Sequence, residues 1–370
     1  MKIIKVETIP LNIPTVRPHG LSFGALTSIN YVIVKIHTDG GQVGLGEAAT
    51  LGGPTWSEES QETIKATIDN YLAKLILGED PFRVEWMLKK MDKGVKGNLF
   101  AKAAIEMGLF DIVGKSLGVP VYQLLGGLCH EKVPLSWSLA TMNPKQEAEE
   151  AVERVEKGWA ILKLKVGMKS IDEDVLRVKT VREAVGDRVK IRVDANQGWD
   201  YVTARKAIAA MEEYGIEFVE QPVPRWNMNG MARVAKAINV PVMADESLCT
   251  MRDAITIVKK EAADIFALKL TKSGGLLNSK GIASVAEAYG IGCYVGSMIE
   301  TGIGTAAYLH CATSTSNLSY GCELWGPLMI KDDIVTESIK YERGHIVALK
   351  KPGLGIELDE DNVRKYSVAC

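Results

Sequence analysis

Apolar and polar residues follow one rhythm in the first third of this chain and another in the rest. Residues 1–125 read as a mixed α+β unit. The run "YVIVKIHTDGGQVGLGEA" is apolar and β-branched, breaks at Asp39-Gly40-Gly41 and resumes, as a hairpin does. Helical periodicity follows in "SEESQETIKATIDNYLAKLIL", "DPFRVEWMLKKMD" and "FAKAAIEMGLFDIVGKSLG", the last closing on Gly118 with Pro120 just beyond. Two segments containing glycine and proline, 15–28 and 50–56, interrupt the unit and read as loops, either lids or connectors.

From Val133 the chain changes to short β-rich runs: "VPLSWSL", "ILKLKV", "IRVDAN", "EFVEQP", "PVMADES", "IFALKL", "GCYVGS" and "YGCELWG". Segments such as "TARKAIAAMEEYG" lie between them, with helical periodicity and a terminal glycine. From Lys165 through Asp194, Glu220, Asp245, Lys269 and Ser297 to Glu323 the steps are 29, 26, 25, 24, 28 and 26 residues. A strand-then-helix period near 25 predicts an α/β fold, a (β/α) barrel over 126–326. The competing open doubly wound sheet lacks its signature, a Gly-rich nucleotide turn after the first strand, since the "VGLGEA" glycines sit in the hairpin. Beyond 326 the rhythm stops, and "YERGHIVALKKPGLGIELDED" reads as a short hairpin within a segment, 327–370, that packs back on the N-terminal unit.

Composition narrows the partners. The 370 residues are 46% hydrophobic and 24% charged, as in soluble enzymes. A net charge of −2 with interspersed signs argues against nucleic acid and membrane partners. The start, "MKIIKVETIPLNIP", has no signal-peptide pattern, and no stretch reaches the roughly 18 uncharged apolar residues of a membrane span. Six cysteines without a CxxC pair, four of them inside apolar runs, suggest a reducing cytoplasm with neither zinc nor disulfides.

Barrel enzymes place their chemistry at the C-terminal ends of the strands. Here successive strands end in Lys163 with Lys165, Asp194 with Asn196, Glu220, Asp245 with Glu246, and Lys269. Three convergent carboxylates repel one another unless a cation lies among them, and an all-oxygen set suits one hard divalent ion, Mg²⁺ or Mn²⁺. Lys163 and Lys165, two apart in a strand, share a face, so Lys163 is expected to disfavour a second charge and to make Lys165 an acid/base near the working pH. Lys269 comes from the far side of the trio. Together these parts suit the enolate formed when a proton is added to or removed from the α-carbon of a bound carboxylate.

With "KLK", "RVDANQGW", "EQP", "MADES", "FALKLTKSGG", "GSMIETGIGT" and "CELWGP" on successive strands, and "LGGPTW" and "AAIEMGLFDIVGKSLGVPVYQLLGG" before them, the chain resembles the enolase superfamily and, within it, the muconate lactonizing enzyme subgroup. The resemblance implies a modified (β/α)7β barrel with an N-terminal α+β capping domain whose segments 15–28 and 50–56 close over the site and choose the substrate. It places Asp194, Glu220 and Asp245 on the metal ligands, Lys165 on the acid/base, Lys163 on its electrostatic companion and Lys269 on the opposite face. Glu323 falls on the acid near the substrate, and Asn196 and Glu246 on residues that orient these groups.

The subgroup shares this machinery among several reactions. The mandelate racemase branch needs a seventh-strand histidine, and none of the five histidines (19, 37, 130, 310, 345) stands at a barrel strand end. Dipeptide epimerases resemble one another in a D-x-D pair where this chain has only Glu323. The segments "TLGGPTW" and "RPHGLSFG" look like those of muconate cycloisomerases, which implies lactonization of cis,cis-muconate or a substituted muconate to a muconolactone. Trp325, Ser297, Trp56 and His19 would then line the small-molecule carboxylate, and Arg17 could join His19 on the attacking carboxylate, although a lone loop histidine more often faces solvent. An N-succinylamino acid racemase or o-succinylbenzoate synthase, or else a dipeptide epimerase, using the same lysines and metal site is the alternative, and a barrel that only binds metal a minor one. Relatives of this kind are usually homo-oligomers, and the same is expected here.

Overall fold

The computed structural model describes residues 1–21 and 24–369. Strands β1 (Ile3–Leu21), β2 (Gly24–Thr38) and β3 (Val43–Thr50) form an antiparallel sheet in chain order. The break at Asp39-Gly40-Gly41 is the turn between β2 and β3, with Gly41 at φ 79° in the left-handed region. The segment 15–28, expected as a loop, is instead the distal part of the β1–β2 hairpin, apart from Ser22 and Phe23, which lie outside the described residues. Pro14 and Pro18 are compatible with a strand because β1 is the sheet's edge, where a missing N–H costs no ladder bond, and the register slips between Pro14 and His19. Segment 50–56 leaves β3 and is irregular, as expected.

The helix Leu99–Leu117 lies on this sheet and ends, as its sequence predicts, on Gly118 at φ 70°. It approaches β3 very closely. A Cβ added to Gly46 would collide with the backbone of Ala104 and Gly108, so the "VGLGEA" glycines let a helix backbone approach a strand.

The chain then enters the barrel. β4 (Lys132–Pro134) is followed by β5 (Ser136–Leu139), β6 (Ile161–Lys165), β7 (Lys190–Asp194), β8 (Ile216–Glu220), β9 (Val242–Ala244), β10 (Ile265–Leu268) and β11 (Gly292–Val295). Strands β5 to β11 form one parallel sheet in chain order. Cys322 closes it by bridging in parallel to Leu135 beside β5 and to Val295 of β11. A helix follows each of the seven strands, but only a 3-10 turn, Gly326–Leu328, follows the closing segment, which gives the (β/α)7β form. The run at 133–139 is divided: β4 leaves the barrel to pair with β13 (His345–Val347), itself paired with β12 (Tyr341–Glu342). The tail hairpin therefore joins β4, just before the barrel's first strand, while Gly353 and Ser367 bridge to Pro120 and Leu11 of the N-terminal unit.

Phe218, Met243, Ile265, Ala267 and Tyr294 fill the barrel as a buried apolar floor. Side chains two apart on a strand share a face, so the strands that supply this floor carry their charged residues above it, at the C-terminal rim. Among the described residues no helix is long and apolar enough to cross a membrane, and Cys129, Cys249, Cys293, Cys311 and Cys322 are free thiols; Cys370 lies outside them.

Replacing Gly46 with Ala is expected to lower stability by about 1–3 kcal/mol, since helix and strand backbones must separate. Urea denaturation measures it; an unchanged midpoint would mean that the helix shifts freely.

Candidate active site

The rim of the barrel gathers every lysine and carboxylate singled out in the sequence. Lys163 Nζ donates to Glu220 Oε2 at 2.8 Å and to Glu323 Oε2 at 2.5 Å, and lies 3.6 Å from Asp194 Oδ2. Lys165 Nζ donates to Asp194 Oδ2 at 2.6 Å and to Asn196 Oδ1 at 3.2 Å. Asn196 Nδ2 donates to Glu246 Oε1 at 3.1 Å. Lys269, directly after β10, donates to Asp245 Oδ2 at 2.7 Å. β6 and β10 are the second and sixth strands of a closed ring of eight, so Lys165 and Lys269 face each other across the barrel.

One member was missed. Lys272 Nζ donates to Asp245 Oδ1 at 2.7 Å and to the Asp245 carbonyl, fully buried. Its place in "KLTKSGG", three residues after Lys269, was a signal: the short helix Leu270–Ser273 turns both lysines toward one aspartate.

Burial opposes every charge here, and the neighbours decide the outcome. Asp194 is held below the usual carboxylate range because Lys165 and Lys163 outweigh its burial, and Asp245 likewise because of Lys269 and Lys272. Glu220 is pushed up to about 8, first by burial and then by Asp194, against the pull of Lys163. Glu246 rises to about 7 by burial and by the charges of Asp245 and Asp194. Lys163 stays well above the ordinary lysine value: burial works against it, but Glu220, Glu323, Tyr294 and Asp194 overcome that.

Among the described residues no three carboxylates form a ready-made metal-ligand cluster, because lysine ammonium groups stand between them. The donor set nevertheless fits a hard divalent cation. Glu220 Oε1 is buried without a hydrogen-bond donor, as are Glu246 Oε2 and Glu323 Oε1, and the mutual repulsion that raises Glu220 is what a cation between Asp194, Glu220 and Asp245 would relieve.

The expected substrate-lining residues divide. His19 is buried against Trp325, ring centroids 5.6 Å apart, and its Nδ1 has no partner, so the hairpin holds it inside the protein and away from solvent. Trp325 also packs on Trp137 and keeps a buried, unpartnered indole N–H. Trp56 lies over Lys269, whose Nζ is 4.5 Å from the ring centroid. Two residues do not serve as expected. Ser297 Oγ donates to Glu300 at 2.6 Å and accepts from the Ile299 N–H at 2.8 Å, which commits its one proton to the protein. Arg17 does not accompany His19: it donates to the Ser138 carbonyl at 3.0 Å and to Glu150 at 2.9 Å, fastening the hairpin to the barrel.

Two family models match the chain: "Mandelate racemase / muconate lactonizing enzyme, N-terminal domain" over residues 3–126 and "Enolase C-terminal domain-like" over 146–362. The chain is 40% identical to a chloromuconate cycloisomerase of Cupriavidus necator, with 100% of both chains covered. Its structure matches that of muconate lactonizing enzyme from Pseudomonas fluorescens complexed with muconolactone, with a TM-score of 0.97, 38% identity and 99% of each chain covered. It also matches N-succinyl Arg/Lys racemase from Bacillus cereus, with a TM-score of 0.95, 37% identity and coverage of 100% of this chain and 99% of that one.

Burial, then the charges of Lys165, Arg17 and Lys163, hold the His19 imidazole well below its ordinary value near 6.5. Below pH 6.5 the unfolded chain therefore takes up a proton that the folded chain refuses, and stability falls as pH falls. From pH 6.5 to 5.5 His19→Asn should lose less stability than the parent, by up to about 1 kcal/mol. Equal losses in urea titrations at the two pH values would show that His19 does not supply this dependence.

Proposed function

The chain belongs to the mandelate racemase and muconate lactonizing enzyme family of enolase-like proteins, and from that membership and its rim of lysines and carboxylates we propose that it is a cycloisomerase closing cis,cis-muconate, or a chlorinated muconate, to the corresponding muconolactone. Lys165 and Lys269 on opposite strands, with Asp194, Glu220 and Asp245 at strand ends between them, support enolate chemistry, and the observation that carries the cyclising reading is the 40% identity over the whole chain to a chloromuconate cycloisomerase.

Asp194, Glu220 and Asp245 would hold one divalent cation, Mg²⁺ or Mn²⁺, which supplies positive charge where the enolate's negative charge develops. The chain's own residues do the rest. His19 and Trp325 wall one side of the site, and the unpartnered Trp325 indole N–H offers a donor to the substrate's second carboxylate. That carboxylate adds across the conjugated double bond, forming the ring C–O bond and shifting the electron pair into an enolate. A lysine ammonium then delivers a proton to the α-carbon: Lys165 if addition is syn, Lys269 if anti. Each turnover consumes one proton, since the dianion becomes a monoanionic lactone, and water returns that proton to the lysine. Lys163, pinned by Glu220 and Glu323, remains charged and supports the enolate electrostatically.

N-succinylamino acid racemization is the second reading. It is favoured by the likeness to the Bacillus cereus racemase and by the two lysines, which would address both faces of an α-carbon.

Incubation with Mn²⁺ and cis,cis-muconate in deuterated water decides between them. Loss of the diene absorbance with one deuterium in the lactone is expected; no lactone, with α-deuterium entering N-succinyl amino acids, would move the assignment to racemization. Replacing the proton-delivering lysine with Ala should lower kcat by about 10²–10⁴. EDTA should abolish turnover, and added Mn²⁺ or Mg²⁺ should restore it.

A further inference from the structure

A cavity of about 410 Å³ lies where residues 56–63 and 96–100 of the N-terminal unit meet Arg225, Cys249 and Lys272 of the barrel. Its volume is that of a small-molecule site. Its inner wall abuts the reacting groups, because Lys272 is bonded to Asp245 and Trp56 lies over Lys269. Trp56, Leu99 and Phe100 supply apolar surface.

The charges along it differ in how firmly they are held. Glu59 is buried and accepts the N–H groups of Phe100 at 2.9 Å and Ala101 at 3.1 Å, so it is committed to the helix Leu99–Leu117. Lys272 is committed to Asp245. At the mouth Arg225 pairs with Glu58, whose side chain is 73% exposed while that of Arg225 is 42% exposed. An ion pair so open to water is worth little, and a competing anion displaces it easily. The Arg225 backbone is fixed: its N–H donates to Gln197 Oε1 at 2.9 Å. Lys96, also on the cavity wall, adds a further positive charge. Finally, the Trp56 indole N–H is buried with no acceptor, a donor that suits a carboxylate oxygen.

We propose that this cavity is an antechamber that receives a linear dicarboxylate on its way to the lysines, with Arg225 as the capture residue and Glu58 as the carboxylate it exchanges for the substrate's. The apolar walls take the carbon chain, Arg225 takes one carboxylate in a forked hydrogen bond, and the Trp56 N–H meets the other. The identity of the substrate as a muconate rests on the function proposed above; the preference for a dicarboxylate rests on the cavity.

The test combines kinetics on cis,cis-muconate with calorimetric titration of adipate, a saturated six-carbon dicarboxylate, on the parent, Arg225→Gln, Arg225→Lys and Glu58→Gln proteins. Arg225→Gln should lower kcat/KM about tenfold, with the loss carried by KM, and should flatten its dependence on ionic strength. The same variant should weaken adipate binding by a similar factor. Arg225→Lys should keep the salt dependence, and Glu58→Gln should raise kcat/KM about two- to threefold at low salt. Unchanged kcat/KM and unchanged adipate affinity in Arg225→Gln, with an unshifted melting temperature, would overturn the antechamber. If the parent makes no lactone yet adipate affinity still depends on Arg225, the antechamber stands and the cycloisomerase reading falls.

Discussion

Everything at the barrel rim depends on one electrostatic constraint: ionised groups withdrawn from water must neutralise one another. Four lysines (163, 165, 269, 272) and five carboxylates (194, 220, 245, 246, 323) are buried together, which leaves one carboxylate in excess. The excess appears at Glu220 and Glu246, which burial and neighbouring carboxylates push up to about 8 and about 7. A divalent cation would turn the excess of one negative charge into one positive, and a dianionic substrate would then be drawn in. The interleaved lysines keep the apo rim folded; the same lysines stand where protons must be delivered.

The N-terminal unit is fastened to the barrel differently, by buried carboxyl groups bonded to backbone N–H groups. Glu47 from β3 accepts the N–H groups of Thr301 at 3.0 Å and Gly304 at 3.0 Å, at the start of the helix Gly302–Thr313. Glu106 takes the N–H groups of Leu276 and Leu277, at the start of the helix Leu276–Ala288. The unpaired N–H donors of the helix starts pull against burial, which still pushes both carboxyl groups up to about 8. Between these anchors Tyr31 donates to the carbonyl of Ile299, a β-branched residue held at φ 59°, so this loop beside Lys269 is strained and fixed by the cap. These contacts hold the N-terminal unit against the barrel's loops.

How much of this was legible in the sequence follows from how locally each feature is encoded. The strand period and the charged strand ends are fixed by alternation within each βα unit, so the barrel and the Lys163, Lys165, Asp194, Glu220, Asp245 and Lys269 ring could be read directly. Lys272 was missed: its spacing of three from Lys269 was the one local signal, and only the short helix shows that it turns inward. Residues 15–28 misled for another reason: proline and glycine signal a loop unless the strand is an edge, and edge position is a property of the whole sheet. Ser297 and Arg17 were expected at the substrate, but their partners, Glu300, Ser138 and Glu150, are set by tertiary contacts that spacing does not encode.

The choice between lactonization and racemization cannot come from the rim, since both reactions pass through an enolate and need the same lysines. It must come from what surrounds the rest of the substrate. A racemase substrate carries an amide and a branching side chain at its α-carbon, which need width and amide partners. A muconate is a flat, unbranched chain with no amide; both substrates end in a second carboxylate that needs donors at its far end. His19 and Trp325 supply aromatic faces and an unpartnered indole N–H, while Arg17, bonded to Glu150 and the Ser138 carbonyl, fastens the hairpin that carries His19 to the barrel. The hairpin that looked like a loop is thus the element that brings His19 against Trp325 and buries it there.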